Sequence, residues 1–184
     1  MRKILLTSAG FENKKIEEKF LELVNIEKEE IKVLFIPTAA ISDGAKAFAK
    51  ECRKEIIDVG ILDENVITFD LDREITFEEV NEFHVIYFSG GTTEHLLKEV
   101  NRTGFNEILN AFVDNGGVYV GVSAGSIIAT RTLDNNLGYV NCILKVHCLN
   151  GSKSGVLDTE NRPIVELTDN QAILVVGDSI SIIE

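Results

Sequence analysis

The residue pattern with the clearest chemical meaning is a Gly-x-Ser-x-Gly motif centred on Ser123. Residues 116–130 are GGVYVGVSAGSIIAT, so an apolar run typical of a β-strand leads into the motif and a helical pattern follows it. A strand, a sharp turn with serine at its tip and a helix together form a nucleophile elbow. Gly121 and Gly125 flank the serine at positions where a side chain would collide across so tight a turn. The motif therefore predicts a catalytic serine, with an ordinary tight turn as the alternative.

A serine nucleophile needs a base that accepts its proton, and the chain offers three histidines. His84 precedes a predicted strand, so it is expected at the sheet edge opposite Ser123. His95 falls in the first turn of a predicted helix, where it could be a solvated helix residue. His147 ends the strand-like run ILKVH after the serine. Position favours His147 as the base, with a packing role as the alternative.

A carboxylate must orient that base, and several acidic residues lie downstream of the serine. Asp169 falls in a turn between two short predicted strands, from which it could reach a histidine. Glu166 lies within the strand before that turn, where a solvent-facing role is the simpler interpretation. The residues alone leave five candidates open: Asp134, Asp158, Glu160, Glu166 and Asp169.

A second glycine-rich segment, residues 89–93 (SGGTT), follows the apolar run VIYF. One interpretation places the Gly91 N–H beside that of Ala124, so that two backbone donors form an oxyanion hole. A phosphate cradle is disfavoured because neither a Gly-Lys-Ser/Thr nor a G-x-G-x-x-G motif is present. A simple turn remains the third interpretation.

Strand and helix patterns alternate along the first two thirds of the chain. Continuous apolar runs between helical segments predict a doubly wound, mainly parallel sheet with helices on both faces. The predicted strands are Lys3–Thr7, Lys32–Ile36, Val66–Phe69, Val85–Phe88 and Val118–Val122. The predicted helices are Asn13–Val24, one capped by Asp43, one after a Thr76–Glu79 capping box, and the segments near Thr93–Val100 and Phe105–Val113.

The last third of the chain changes to short strands joined by turns. The final pair of strands is expected to form a hairpin that turns at Gly177-Asp178. This β-rich tail should return to the sheet edge. Ligands of α/β sheets bind beyond the carboxyl ends of the strands, where Gly91 and Ser123 both fall. The predicted tail strands are Cys142–His147, Ile164–Leu167, Ala172–Val176 and Ser179–Ile183.

Composition limits the class of protein. A chain of 184 residues suits one domain covering residues 1–184. Its net charge of −12 would repel phosphate backbones, which argues against a nucleic-acid partner. No apolar stretch approaches the ~20 residues that a membrane span requires, so no membrane partner is expected. The three cysteines show no CxxC spacing, which argues against a disulfide framework and fits a reducing cytoplasm.

The segments FSGGTTEHLL and GVSAGSIIA resemble peptidase family S51, which includes the α-aspartyl dipeptidases (peptidase E) and the cyanophycinases. The resemblance extends over nearly the whole chain. It implies a class I glutamine amidotransferase-like α/β fold of flavodoxin-like type, with serine replacing the usual elbow cysteine. It also implies hydrolysis of peptide bonds next to aspartate without a cofactor or metal.

The resemblance also assigns roles to individual residues of this chain. The nucleophile falls on Ser123, the base on His147 and its acidic partner on Asp169. An aspartate shortly after the elbow is sometimes given the relay role instead, and Asp134 occupies that place. The oxyanion-hole donors would be the N–H groups of Gly91 and Ala124.

The resulting hypothesis is a cytoplasmic serine hydrolase, monomeric or homodimeric, that cleaves a small peptide through an acyl-enzyme. The chain departs from the family pattern in three ways. Proline is missing before the histidine, and the only cations between His147 and Asp169, Lys153 and Arg162, lie in no matching motif. The segment between His147 and Asp169 is also shorter than expected, and this motivates an alternative. The alternative is a degenerate, non-catalytic family member that binds a peptide or small metabolite in the same cleft. A cysteine-dependent, amidotransferase-like enzyme is a weaker third interpretation, since no cysteine occupies the elbow.

Overall fold

Ten β-strands and six α-helices form the protein, and the computed structural model describes all residues 1–184. The strands are β1 (Lys3–Thr7), β2 (Val33–Ile36), β3 (Val66–Thr68), β4 (Val85–Phe88), β5 (Val118–Val122), β6 (Ile143–Lys145), β7 (Gly155–Val156), β8 (Ile164–Glu166), β9 (Ala172–Val176) and β10 (Ser179–Ile183). The helices are α1 (Lys14–Val24), α2 (Asp43–Asp58), α3 (Phe77–Val80), α4 (Thr93–Arg102), α5 (Phe105–Asp114) and α6 (Ala124–Ile128). Short 3₁₀ turns cover Lys28–Glu30 and Asp63–Asn65.

The main sheet has eight strands in the order β3-β2-β4-β5-β1-β9-β10-β7. Strands β1 to β5 run parallel to their neighbours among themselves, while β9, β10 and β7 pair antiparallel. The predicted α/β fold class, with a mainly parallel sheet, is therefore confirmed. The tail strands extend the parallel part by covering the free side of β1.

Side chains of the parallel strands alternate between two apolar layers, as successive residues of a strand must. Leu5 and Phe35 face the layer beneath α1 and α2, while Leu6 and Ile36 face the layer beneath the other helices. Helices therefore cover both faces of the parallel strands. Ligands of such sheets bind at the edge formed by the carboxyl ends of the strands.

Local sequence signals explain the starts of three of the six helices. The side chain of Asn13 caps α1 and accepts a hydrogen bond from the Ile16 N–H. The predicted capping box between Thr76 and Glu79 is present at α3. The predicted cap of α2 is wrong by one residue: Ser42 is the N-cap, and Asp43 is the first residue of the helix.

The tail differs in two respects from the strands expected from the sequence. The β9–β10 hairpin turns at Gly177 as expected. However, β6 and β8 do not join the main sheet and form a separate two-stranded parallel sheet. The predicted strand Cys142–His147 also ends at Lys145, because the backbone of His147 turns to φ 57° and its N–H donates to a side chain instead of a neighbouring strand.

The buried cysteines give a prediction about the packing of the two layers. Cys52 and Cys142 are buried, and burial raises the pKa of each thiol to about 12. The thiolate is the reactive form, so both thiols should stay inert in the folded protein near pH 8. Ellman's reagent should titrate only the partly exposed Cys148 before denaturation and three thiols afterwards. The Cys148→Ser variant should lose the fast phase; two or three fast thiols in the native protein would contradict this packing.

Candidate active site

Ser123 lies in a sharp turn between β5 and α6, in a backbone conformation that serine rarely adopts. Its φ is 49° and its ψ is −105°. Such a conformation is energetically costly for a residue with a side chain and persists only where the surroundings enforce it. The strand, the strained serine and the helix that follows at once are the geometry of a nucleophile elbow.

The two flanking glycines allow this turn to close. A Cβ added to Gly121 would lie 2.5 Å from the carbonyl oxygen of Gly125. A Cβ added to Gly125 would lie 2.6 Å from the Cβ of Phe88 on the neighbouring strand. The hydroxyl of Ser126 ties the turn to the sheet, because it lies 2.7 Å from the carbonyl oxygens of both Thr7 and Gly121.

The structure brings His147 and Asp169 to the hydroxyl of Ser123. The Ser123 Oγ lies 3.0 Å from His147 Nε2, and His147 Nδ1 lies 2.7 Å from Asp169 Oδ1. A carboxylate oxygen accepts hydrogen bonds, so the proton of the neutral imidazole belongs on Nδ1. Nε2 is then an acceptor that faces the serine hydroxyl, which is the arrangement that a general base requires.

The small sheet of β6 and β8 explains how the tail places His147 and Asp169 next to each other. These strands are parallel, with Lys145 opposite Glu166, so His147 and Asp169 follow the same ends of neighbouring strands. The pairing continues beyond the strands, since the Cys148 N–H donates to the carbonyl of Leu167 at 3.0 Å. A short connection between base and acid is therefore compatible with their contact.

The other candidate residues lie elsewhere. His84 Nδ1 accepts the Lys32 N–H at the opposite sheet edge, and burial lowers the pKa of His84. His95 lies on α4 and makes no hydrogen bond to Ser123.

The other acidic candidates also have their contacts elsewhere. Asp134 lies in a surface depression beside α4, whereas the carboxylate in contact with His147 Nδ1 is that of Asp169. Asp158 accepts the Glu160 N–H, and Glu166 pairs with Lys145 at 2.9 Å.

Gly91 borders the site at the carboxyl end of β4. Its φ of 145° is unfavourable for any other residue, and a Cβ there would collide with the carbonyl oxygen of Ala39. Gly91 is exposed, and its N–H donates to no acceptor within the chain. A Cβ on the adjacent Gly90 would lie 3.1 Å from the Cβ of Ser123, so this loop borders the serine directly.

Helix α2 forms the wall behind these loops. Phe48 packs against Gly90, and the buried Cys52 has a pKa raised by desolvation, so this part of the wall is uncharged. Glu55 accepts the Phe11 N–H at 3.1 Å, and burial raises the pKa of its carboxyl group. The wall therefore combines an apolar surface with one half-buried acid.

One contact residue was missed by sequence reasoning. Ser8 follows β1 and hydrogen-bonds to Asp169 and to the backbone of His147. The sequence feature that could have identified Ser8 is its position one residue beyond a predicted strand, at the same sheet edge as Ser123. The cations Lys153 and Arg162 are exposed, and the Arg162 guanidinium donates to the carbonyl of Arg131.

Comparisons of the sequence with known proteins identify a family that the chain matches. The family model described as Peptidase family S51 matches residues 4–141. An uncharacterized peptidase of Pasteurella multocida, PM1590, is 31% identical over 136 residues, covering 73% of this chain and 63% of that protein. A protein of Nostoc sp. named peptidase E is 28% identical over 102 residues, covering 55% of this chain and 40% of that protein. The chain thus spans less than two thirds of the length of these curated relatives.

Solved structures share the architecture over the whole chain. A protein from Listeria monocytogenes EGD-e, proposed to be a peptidase E, superposes with a TM-score of 0.76 at 23% identity, covering 100% of this chain and 98% of that one. A peptidase from an acI-B1 Actinobacterium superposes with a TM-score of 0.72 at 17% identity, covering 100% and 87%. Identity this low establishes the fold alone.

The fold and the turn at Ser123 are those of an α/β protein with a nucleophile elbow. The match over residues 4–141 goes further: the chain belongs to peptidase family S51. Ser123, Gly91 and Ala124 lie within the matched residues, whereas His147 and Asp169 lie beyond them.

None of the helices combines the length and the apolar character that crossing a membrane would need.

The elbow geometry predicts that two glycine substitutions have opposite effects. Gly121→Ala forces a Cβ against the Gly125 carbonyl and should lower the free energy of unfolding by ~3 kcal/mol. Gly44→Ala is the matched control, because no atom lies within 4 Å of its added Cβ. That variant should gain ~0.5 kcal/mol from reduced entropy of the unfolded chain. Urea unfolding measures both values, and equal stabilities of the two variants would contradict the proposed crowding.

Proposed function

We propose that this protein is a serine peptidase that hydrolyses small peptides through an acyl-enzyme. The observation that carries the proposal is the pair of contacts made by His147, at 3.0 Å from Ser123 Oγ and 2.7 Å from Asp169 Oδ1. These are the distances that proton transfer and orientation of the base require. Membership of peptidase family S51 supports the same reaction class.

In the proposed reaction, the Ser123 hydroxyl passes its proton to His147 Nε2 as Oγ bonds to the peptide carbonyl carbon. The carbonyl oxygen becomes an oxyanion that accepts hydrogen bonds from the Gly91 and Ala124 N–H groups. The C–N bond then breaks, and the imidazolium returns its proton to the leaving amine. Water then passes a proton to the same imidazole as its oxygen attacks the ester carbon. The bond from that carbon to Ser123 Oγ breaks, the imidazolium returns the proton to Oγ, and the acid is released.

The non-catalytic alternative is less well supported. It required a separation between Ser123 and His147 well beyond hydrogen-bond reach, whereas the two atoms lie 3.0 Å apart. The half-exposed side chains of His147 and Asp169 also leave the pair open to a substrate. The hydrolase is therefore the favoured function.

Substrate identity is the finer part of the proposal. A small peptide fits a single compact domain whose site lies open at the sheet edge. We infer that the protein acts in the cytoplasm as a monomer or homodimer. Preference for aspartyl bonds is supported by family membership and by similarity to the Nostoc protein named peptidase E.

The proposed nucleophile predicts a specific covalent reaction. A fluorophosphonate should add one phosphonyl group to Ser123 in the folded protein, as detected by intact and peptide mass spectrometry. Ser123→Ala should remove the adduct, and His147→Ala should slow its formation by about 10³-fold. His84→Ala is the matched control and should react at the wild-type rate, since His84 lies at the opposite sheet edge. An unlabelled wild-type protein would falsify the mechanism.

The substrate class predicts a second result. Wild-type protein incubated with a dipeptide library should release free amino acids, with aspartyl dipeptides cleaved fastest, while Ser123→Ala should release none. Chromatography coupled to mass spectrometry reports both the activity and the side-chain preference. Cleavage of other dipeptides but not aspartyl ones would refute the preference and leave the peptidase intact.

A further inference from the structure

Ser8 occupies the point at which three parts of the proposed site meet. In the main sheet β1 lies between β5 and β9, and the register places Thr7 opposite both Val122 and Ala172. The next residue along β1 therefore lies between Ser123, which follows Val122, and the turn with Asp169, which precedes Ala172. Strand order alone places Ser8 between the nucleophile and the acid.

The hydroxyl of Ser8 contacts both partners of the proposed base. It donates to Asp169 Oδ1 at 2.9 Å and accepts the backbone N–H of His147 at 2.7 Å. The distance from Ser8 Oγ to His147 Nδ1 is 3.5 Å, so the single hydroxyl proton goes to the carboxylate. Asp169 Oδ1 thus accepts two hydrogen bonds, one from His147 and one from Ser8.

The proposed base and acid need such an anchor because neither side chain is buried. The exposed fractions are 48% for His147 and 53% for Asp169. An exposed hydrogen-bonded pair holds its geometry weakly, since water competes for both polar groups and the side chains lose entropy on pairing. Ser8, by contrast, is completely buried. It is the rigid member of the three.

The turn that carries Ser8 is itself fixed. Thr7 Oγ1 accepts the Gly10 N–H at 3.0 Å and donates to the Gly121 carbonyl at 3.3 Å, which joins this turn to the elbow strand. The Glu55 carboxylate accepts the Phe11 N–H from the other side. Movement of Ser8 relative to Ser123 would break these bonds.

We propose that Ser8 is a positioning residue, whose hydroxyl locks the Asp169 carboxylate and the turned backbone of His147 so that Nε2 faces Ser123. This inference rests on the proposed function, because it requires that His147 act as the base. Ser8 is not a second nucleophile: it is buried, and its proton is committed to Asp169.

The test measures the rate at which a fluorophosphonate labels Ser123, which requires no knowledge of the substrate. Ser8→Ala should lower the maximal labelling rate about tenfold, because the imidazole loses its fixed orientation. The reagent concentration for half-maximal rate should stay unchanged, since Ser8 does not line the reagent site. Thr103→Val is the matched control: it removes the hydroxyl of a buried residue that donates to the backbone carbonyl of Glu99 at 2.8 Å, and it should leave labelling unchanged.

A double-mutant cycle separates positioning from a general effect on folding. Asp169→Ala alone should slow labelling by about 10²-fold. In that background Ser8→Ala should cost no more than about threefold, because the carboxylate is gone and only the bond from the His147 N–H is left to lose. The same tenfold loss in both backgrounds would overturn the inference, and so would a Ser8→Ala protein labelled at the wild-type rate.

A second variant keeps the inference testable if Ser8→Ala does not fold. Ser8→Cys nearly preserves the side-chain size but donates a weaker hydrogen bond, so it should also slow labelling. Labelling of Ser8→Cys at the wild-type rate would again overturn the inference. Absence of any adduct on the wild-type protein would instead remove the proposed function, so the two failures are distinguishable.

Discussion

The backbone at Ser123 is the constraint on which the rest of the site depends. A serine at φ 49° and ψ −105° carries strain on the order of 1–3 kcal/mol. The strain persists because Gly121 and Gly125 meet at contact distance and the Ser126 hydroxyl ties the turn to β1. Only this sharp turn directs the hydroxyl out of the sheet edge, where an imidazole can reach it.

The central strand β1 connects the two halves of the chain. Its parallel partner β5 carries the elbow, and its antiparallel partner β9 begins just after the turn that carries Asp169. The tail therefore does more than extend the sheet edge. It carries His147, which contacts Ser123 Oγ, and Asp169, which contacts His147 Nδ1. The separate parallel pair of β6 and β8 sets those groups side by side.

Local signals in the sequence predicted most of the parallel sheet and the elbow. The strands Lys3–Thr7, Val85–Phe88 and Val118–Val122 follow from continuous apolar runs, and the turn at Ser123 follows from its two glycines. The capping box at Thr76 is equally local, since both partners lie within one helical turn.

Long-range pairing explains what the sequence could not predict. Ser8 and Asp169 are separated by 161 positions, and no local pattern marks either as a partner of the other. The choice of Asp169 among five acidic candidates came from family resemblance, whereas the contact with His147 depends on the pairing of β6 with β8. The end of β6 at Lys145 depends likewise on a distant hydroxyl, that of Ser8, which draws the His147 N–H away from strand geometry.

A crystal structure of the phosphonylated protein would show directly whether Ser123 is the nucleophile and where the oxyanion is held. We expect a covalent bond from phosphorus to Ser123 Oγ and a positive φ at Ser123. We also expect a phosphoryl oxygen ~2.7–3.1 Å from the N–H groups of Gly91 and Ala124, with His147 Nε2 beside Oγ. An adduct on another residue, or a phosphoryl oxygen turned to solvent away from both N–H groups, would contradict the proposed mechanism.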